Sequence, residues 1–150
     1  MSPTVRVSVD ISAPPATVWA CVEDIETHTQ WMQDAVAIRF TSSQRRGVGT
    51  TFDCDTRIGP FRLTDRMEVT DWRDGEAMAI RHVGLVTGEG RFDLVPIETG
   101  TRFVWTESLV FPRRQGGAMA ARVAAPILRR VWRGNLLRLR ELVEGGVSQR

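Results

Sequence analysis

The chain alternates apolar and polar residues over several short stretches, and three ionisable side chains stand on the apolar side of this alternation: Asp65, His82 and Glu107. Their neighbours on the same side are hydrophobic: Leu63 and Met67, Met78 and Ile80, Trp105 and Leu109. A carboxylate that faces a core is costly unless it is paired or hydrogen-bonded. The pattern therefore predicts a polar cluster inside the domain, which would orient a ligand carbonyl or hydroxyl, or move protons through the imidazole.

Two simpler explanations for these three residues stay open at this point. A β-bulge would shift the register of one strand, or the two carboxylates would lie at strand ends and reach solvent. Cys54 stands on the same side as Phe52, and we expect a small buried thiol rather than a nucleophile, because no adjacent residue would lower its pKa. His28 is predicted to be an exposed helical residue. No second His or Cys stands at ligand spacing from it, so no metal site is predicted.

The composition narrows the possible functions. The basic side chains are all arginine, which excludes a lysine Schiff base and a P-loop lysine, and no cofactor is predicted. A chain of 150 residues fits one domain over residues 1–150. No apolar run approaches the roughly 20 residues of a membrane span, and no secretory signal is predicted. Two cysteines do not make a disulfide framework, so we expect a cytoplasmic protein with free thiols.

Positive charge is concentrated in the last quarter of the chain. Residues 112–150 contain 9 arginines and 2 glutamates, whereas residues 1–111 contain 11 arginines and 16 acidic residues. A solvated arginine face on a helix explains this distribution, and an anionic partner is the alternative. Aromatic residues do not alternate with these arginines as a stacking surface for single strands requires, and no DNA partner is predicted.

The elements that must position the three ionisable residues are mostly strands. Residues 5–11 alternate strictly and predict a strand, after which Pro14 and Pro15 begin a short helix, with a second short helical piece around residues 26–32. Six further strands are predicted between Ala35 and Phe111, with glycine-containing turns between them. Connections of hairpin length indicate an antiparallel sheet that is covered on one face.

A long helix is predicted over residues 118–144, where apolar residues recur at helical spacing. It would run roughly 40 Å, long enough to cross the sheet. Pro126 is expected to bend it, and Gly145 with Gly146 to end it. We expect Val123, Ile127 and Val131 to face the sheet.

Four segments resemble motifs of one known family. They are APPATVW at 13–19 (sxPxxxVW), WMQDAV at 31–36 (WxxxV), GVGT at 47–50, and FDLVP at 92–96 with GTR at 100–102 (fxlxPxxxGTrv). In this order they resemble the START-like, or helix-grip, superfamily (SRPBCC), in particular its polyketide cyclase/dehydrase and lipid-transport members. The resemblance implies an α+β fold in which a curved seven-stranded antiparallel sheet wraps around a long C-terminal helix, with a deep cavity between them.

The expected function is binding of an apolar small molecule, such as a lipid, polyketide or aromatic compound, for transport, sensing or sequestration. The family hosts carriers, sensors and enzymes on one frame. A cyclase or dehydratase using the inner-face His, Asp and Glu is therefore an alternative, as is a protein or RNA interaction module working through the arginine-rich helix. A monomer or a homodimer is expected. The expected lining of the cavity is Trp31, Phe52, Cys54, Leu63, Asp65, Met67, Ile80, His82, Phe92, Trp105, Glu107, Val123, Ile127 and Val131.

Overall fold

A computed structural model describes residues 4–148. Seven antiparallel strands form one sheet in the spatial order β1-β7-β6-β5-β4-β3-β2. The strands are β1 (Thr4–Ile11), β2 (Ala35–Phe40), β3 (Thr51–Ile58), β4 (Phe61–Arg73), β5 (Ala77–Val83), β6 (Thr87–Ile97) and β7 (Gly100–Val110). The helices are α1 (Pro15–Val22), two 3-10 helices (Ile25–Gln30 and Arg113–Gln115) and α2 (Gly117–Ser148). The element order and the α+β class therefore agree with the sequence-based prediction.

The two-residue period of the sequence sets which side chains face inward. In β1, alternate residues are buried and the residues between them are exposed. The register shift in β4 lies between Val69 and Asp71. Asp65 precedes this shift, so it keeps the orientation that the alternation predicts and lies directly opposite Cys54 of β3. A bulge therefore does not remove Asp65 from the inner face of the sheet.

Helix α2 packs against the inner face of the sheet, chiefly along β1. Its buried stripe includes Ala121, Ala125, Leu128 and Trp132. The small alanines allow the first half of the helix to approach the start of β1 and the end of β7 closely. The helix continues without interruption through Pro126 and through Gly145 and Gly146 to Ser148, so the predicted end at the glycine pair is wrong.

The expected orientation of α2 is also wrong for two residues. Val123 and Ile127 are 65% and 53% exposed, and Val131 is half-buried at the edge of the core. Each residue turns an α-helix by about 100°. Val123 and Ile127 stand two positions before and after Ala125, and so they lie on the side of the helix opposite the sheet.

This orientation predicts opposite outcomes for two neighbouring substitutions. Ile127→Asp is expected to change the free energy of unfolding by only about 0.5 kcal/mol, since a surface substitution removes few contacts. Leu128→Asp, which places a charge against the sheet, is expected to destabilise by several kcal/mol or to prevent folding. Thermal unfolding followed by circular dichroism measures both. A large loss in Ile127→Asp beside a tolerated Leu128→Asp would reverse the assignment of the two helix faces.

His28 is buried, and its predicted exposure is wrong. The 3-10 helix Ile25–Gln30 turns the ring into the core, where Nε2 lies 2.7 Å from the carbonyl oxygen of Val22. The imidazole contacts the rings of Trp31 and Phe92, with centroid distances of 5.2 and 5.9 Å. Burial lowers the pKa of His28 to about 4 and outweighs the hydrogen bond to Val22, so this ring is neutral at neutral pH.

Candidate functional site

The structure brings Asp65, His82 and Glu107 into direct contact on the inner face of the sheet. His82 on β5 lies between the other two, with Nδ1 2.7 Å from Asp65 Oδ2 and Nε2 3.0 Å from Glu107 Oε2. All three residues are buried. Strand β4 supplies Asp65 and lies next to β5. Strand β7 supplies Glu107 and is separated from β5 by β6, so the longer Glu107 side chain reaches across β6 to the imidazole. We call these three residues the acid–imidazole cluster.

The hydrogen bonds fix the protonation of the cluster. Burial by itself lowers the pKa of His82, but the hydrogen bonds and negative charges of Asp65 and Glu107 outweigh burial and raise this pKa to about 10. The ring is therefore an imidazolium at neutral pH, and both of its N–H groups donate to carboxylates.

Both carboxylate oxygens of Glu107 accept a hydrogen bond, whereas only one oxygen of Asp65 does. Glu107 Oε1 accepts a hydrogen bond from the indole Nε1 of Trp105 at 3.2 Å. Among the described residues, the buried Asp65 Oδ1 has no hydrogen-bond partner. A buried acceptor without a partner costs about 1–3 kcal/mol, and such an atom in a native protein calls for an explanation. Asp65 Oδ1 is thus a free acceptor on the inner face of the sheet.

Gly90 on β6 makes room for the cluster, and the sequence analysis did not single it out. It lies opposite Glu107 in the register of β6 and β7. A Cβ atom at this position would lie 2.5 Å from Glu107 Oε1 and 3.1 Å from Ile80 Cδ1. A glycine in the interior of a strand often marks a position where another group lies close to the backbone, as the Glu107 carboxylate does here.

Aromatic side chains pack together in part of the space between the sheet and α2, where a cavity was expected. Four of them contact one another with centroid distances between 5.1 and 6.3 Å: Trp31, Phe92, Phe103 and Trp105. Trp132 of α2 stacks on Trp105 at 4.9 Å. A cavity of about 10 Å³ lies beside Glu107, bounded by β1, β7 and the first half of α2. Such a volume holds one water molecule at most.

A second buried polar group ties α2 to the start of β2, and sequence reasoning missed it. Asp34 accepts hydrogen bonds from Asn135 Nδ2 at 2.6 Å and from Trp132 Nε1 at 3.2 Å. Asn135 Oδ1 accepts from the backbone N–H of Gln33 at 3.0 Å. Asn135 is fully buried on the apolar stripe of α2. The same signal that indicated the cluster, a polar residue at an apolar position, was available here at helical spacing.

The structure places the residues expected to line a cavity in three groups. Those that are buried with the cluster are Trp31, Phe52, Cys54, Phe92 and Trp105. Those that are half-buried are Leu63, Met67, Ile80 and Val131. The exposed ones are Val123 and Ile127. Burial raises the pKa of the Cys54 thiol to about 12, which keeps it protonated and unreactive at neutral pH.

Neither a group of metal ligands nor a membrane-spanning helix is found in the described part of the chain. Within residues 4–148, no group of three or more His, Cys, Asp or Glu side chains is arranged to hold a metal ion. In the cluster itself, both imidazole nitrogens already face carboxylates. No helix over the same residues combines the length and apolarity that crossing a membrane requires.

A seven-stranded antiparallel sheet packed on a long C-terminal helix, with short helices after the first strand, defines a helix-grip protein. The family model described as polyketide cyclase / dehydrase and lipid transport matches residues 2–144, and the chain belongs to this family. By sequence, no curated protein matches the chain at a significant level.

Solved structures show the same fold at low sequence identity. A protein from Thermus thermophilus is 20% identical with a TM-score of 0.79, covering 96% of this chain and 99% of that one. A Bacillus halodurans protein is 21% identical with a TM-score of 0.71, covering 95% and 99%. A di-domain ARO/CYC protein of the steffimycin biosynthetic pathway is 13% identical with a TM-score of 0.77, covering 97% of this chain and 51% of that one.

Proposed function

We propose that this protein binds an apolar small molecule carrying a hydroxyl or other hydrogen-bond donor, held between the sheet and α2. The observation that carries the proposal is the free acceptor Asp65 Oδ1, buried in the acid–imidazole cluster on an apolar inner face. A ligand hydroxyl that donates to this oxygen would satisfy it. The family supports an apolar ligand, since its description includes lipid transport.

The free acceptor of the cluster selects the polar group of the ligand. Asp65 Oδ1 favours a ligand group that donates a hydrogen bond, and it offers no donor to a carboxylate or phosphate oxygen. The flanking side chains Leu63, Met67 and Ile80 are half-buried, and they offer apolar surface next to the cluster. The preferred ligand is therefore an apolar, ring-containing or acyl compound with a hydroxyl at one end.

Binding requires the protein to open. Pockets for small molecules usually enclose about 300–1,000 Å³, far more than the 10 Å³ beside Glu107. The first half of α2 closes this side with small residues, Ala121 and Ala125, whereas Trp132 and Asn135 anchor the second half through Asp34. Movement of the first half away from β1 and β7 would expose the cluster, and the ligand would select this open state.

The enzyme alternative is less well supported by the cluster. A general base works best when its pKa lies near the operating pH. The pKa of His82 is raised to about 10, so this imidazole already holds its proton at neutral pH and is a poor base. The ARO/CYC neighbour shares the fold at 13% identity, and this likeness carries no chemistry over to the present chain.

A pair of matched ligands tests the proposal. Displacement of an environment-sensitive apolar dye would be measured with 2-naphthol and with naphthalene, which differ by one hydroxyl. We expect naphthol to bind about 10–100-fold more tightly, since a hydrogen bond to a charged acceptor is worth about 1.5–3 kcal/mol. In Asp65→Asn, which replaces the charged acceptor, this preference is expected to shrink to a few-fold.

Asp55→Asn is the matched control. Asp55 is a neighbouring strand residue that pairs with Arg39 at the surface, and its replacement should leave the naphthol preference unchanged. If the dye and both ligands fail to bind the wild-type protein, the interior does not open and the carrier function is wrong. Turnover of a polyketide-like substrate that is lost in Asp65→Asn while dye binding persists would favour the cyclase or dehydratase instead.

A further inference from the structure

One end of the sheet exposes large apolar side chains. In this antiparallel sheet, the ends of β3, β5 and β7 lie at the same end of the molecule as the starts of β4 and β6. The exposed apolar residues there are Phe61, Val83, Leu85 and Val110. Helix α2 begins shortly after β7 and adds Met119 in its first turn. Phe61 and Met119 are 77% and 71% exposed, so water surrounds most of both side chains.

The apolar surface continues along the outer side of α2. Met119, Val123 and Ile127 are spaced by four residues, so they form one row on a helix. All three are more than half exposed. Scattered single apolar residues on a surface need no explanation, but a grouped set at one end and along one helix marks an interaction surface.

Unpaired arginines surround the same end. Arg57 and Arg62 flank the turn between β3 and β4, and Arg113, Arg114 and Arg122 lie at the start of α2; all five are exposed. Among the described residues, none of these five lies within ion-pairing distance of a carboxylate. Further along α2, Arg129, Arg130 and Arg133 likewise form no ion pair with a described carboxylate. Eight arginines of the rest of the chain do form ion pairs: Arg39, Arg45, Arg46, Arg66, Arg73, Arg81, Arg91 and Arg102.

We propose that this end of the protein docks on an anionic phospholipid surface. Apolar side chains such as Phe61 and Met119 would enter the boundary between headgroups and acyl chains, and the arginines around them would bind lipid phosphates. Apolar residues alone would suit many partners. Their combination with positive charge that has no partner within the described chain matches the two attractions that a membrane surface offers.

Two other occupants fit this surface less well. A second copy of the chain would bring the arginines of one α2 against those of the other, and the segment 113–133 contains six arginines and no acidic residue to compensate. A single-stranded nucleic acid needs aromatic side chains on which its bases stack. Of the exposed large apolar residues at this end, within the part of the chain that the structure describes, only Phe61 is aromatic.

Docking at this end goes beyond the proposed function and does not depend on it. The exposed residues and the arginines are present whatever the interior holds. The acid–imidazole cluster lies beneath the same end, since Asp65 is four residues from Phe61 and His82 is next to Val83 in the sequence. A protein docked in this way would face the lipid with this end of the sheet, beneath which the cluster lies, and with the start of α2.

Vesicle flotation tests the docking surface. The full chain would be mixed with vesicles of phosphatidylcholine alone and with vesicles of equal parts phosphatidylcholine and phosphatidylglycerol. We expect binding to the mixed vesicles at low ionic strength, weakened by added salt. Arg113→Gln/Arg114→Gln is expected to weaken it about 30-fold, which corresponds to about 2 kcal/mol for two arginines at an anionic surface. Met119→Asp is expected to weaken it about 10-fold or more.

Matched controls lie in the loop between β2 and β3, at the opposite end of the sheet. Arg45→Gln/Arg46→Gln removes the same charge from adjacent arginines, and Val48→Asp places the same acid at another exposed apolar position. Both controls are expected to bind vesicles like the wild type. The proposal is overturned if the wild type ignores mixed vesicles, if the control pair weakens binding as much as the Arg113/Arg114 pair, or if the protein binds single-stranded RNA and no vesicle.

Discussion

Replacing His82 by leucine is expected to lower the free energy of unfolding by about 3–5 kcal/mol at neutral pH. The substitution removes the only cation of the acid–imidazole cluster and leaves two buried carboxylates, Asp65 and Glu107, without their partner. Chemical denaturation measures the loss. A change within about 0.5 kcal/mol, as for a surface residue, would show that the three side chains do not form a buried unit.

A triple replacement separates stability from function in the cluster. Asp65→Leu/His82→Leu/Glu107→Met exchanges the whole group for apolar side chains, and such exchanges are often neutral or stabilising. We expect the triple variant to recover most of the stability that His82→Leu loses. If the cluster serves ligand binding as proposed, the triple variant also loses the preference for naphthol over naphthalene.

The pH dependence of the free energy of unfolding tests the raised pKa of His82. The folded pKa of His82, about 10, lies above its ordinary value of 6.5. Its contribution is therefore complete below pH 6.5 and is lost as the pH rises toward 10. The wild type should lose stability over this window by up to about 1.4 kcal/mol per pH unit. His82→Leu should show a flatter profile between pH 6.5 and 9, below the range where the raised pKa of Cys54 contributes.

The second large effect is expected at Trp132 of α2. Trp132→Ala removes the stacking on Trp105 and the hydrogen bond to Asp34, and we expect a loss of about 3–5 kcal/mol. The vacated space lies between the helix and the sheet and is lined by rings, so it should admit an indole molecule, as apolar cavities admit small aromatic ligands. Added indole is therefore expected to raise the melting temperature of Trp132→Ala.

Leu142→Ala on the same helix serves as the control for Trp132→Ala. Leu142 is partly exposed, and its truncation should cost far less and leave no space for indole. If indole stabilises Leu142→Ala or the wild type as strongly as Trp132→Ala, the ligand binds elsewhere. In that case the packing of Trp132 against the sheet would need to be reassigned.

The sheet could be predicted from the sequence because strands carry a two-residue signal. The alternation in β4, β5 and β7 indicates which side chains face inward, and it placed Asp65, His82 and Glu107 on one face before any contact was visible. Their hydrogen bonds could not be predicted, because the alternation gives the face of a residue and not its distance to a residue on another strand.

The helix and the interior were harder to predict for physical reasons. The first half of α2 is apolar on several sides, so hydrophobic spacing alone did not distinguish the packed stripe at Ala121 and Ala125 from the exposed row at Val123 and Ile127. His28 was misplaced because a 3-10 helix has three residues per turn and presents a different face from an α-helix. Whether aromatic rings fill a cavity depends on side-chain packing, which the sequence pattern does not encode.

The pairing of the first strand with the last one has a consequence for how the chain is made. Thr4 of β1 lies opposite Ser108 of β7, 104 residues later in the chain. Ribosomes add about 5–20 residues per second, so β1 waits roughly 5–20 s for its partner strand. During that interval its valines have neither β7 beside them nor α2 across them. The sheet therefore closes late in synthesis, and β1 is the segment that a chaperone would have most time to bind.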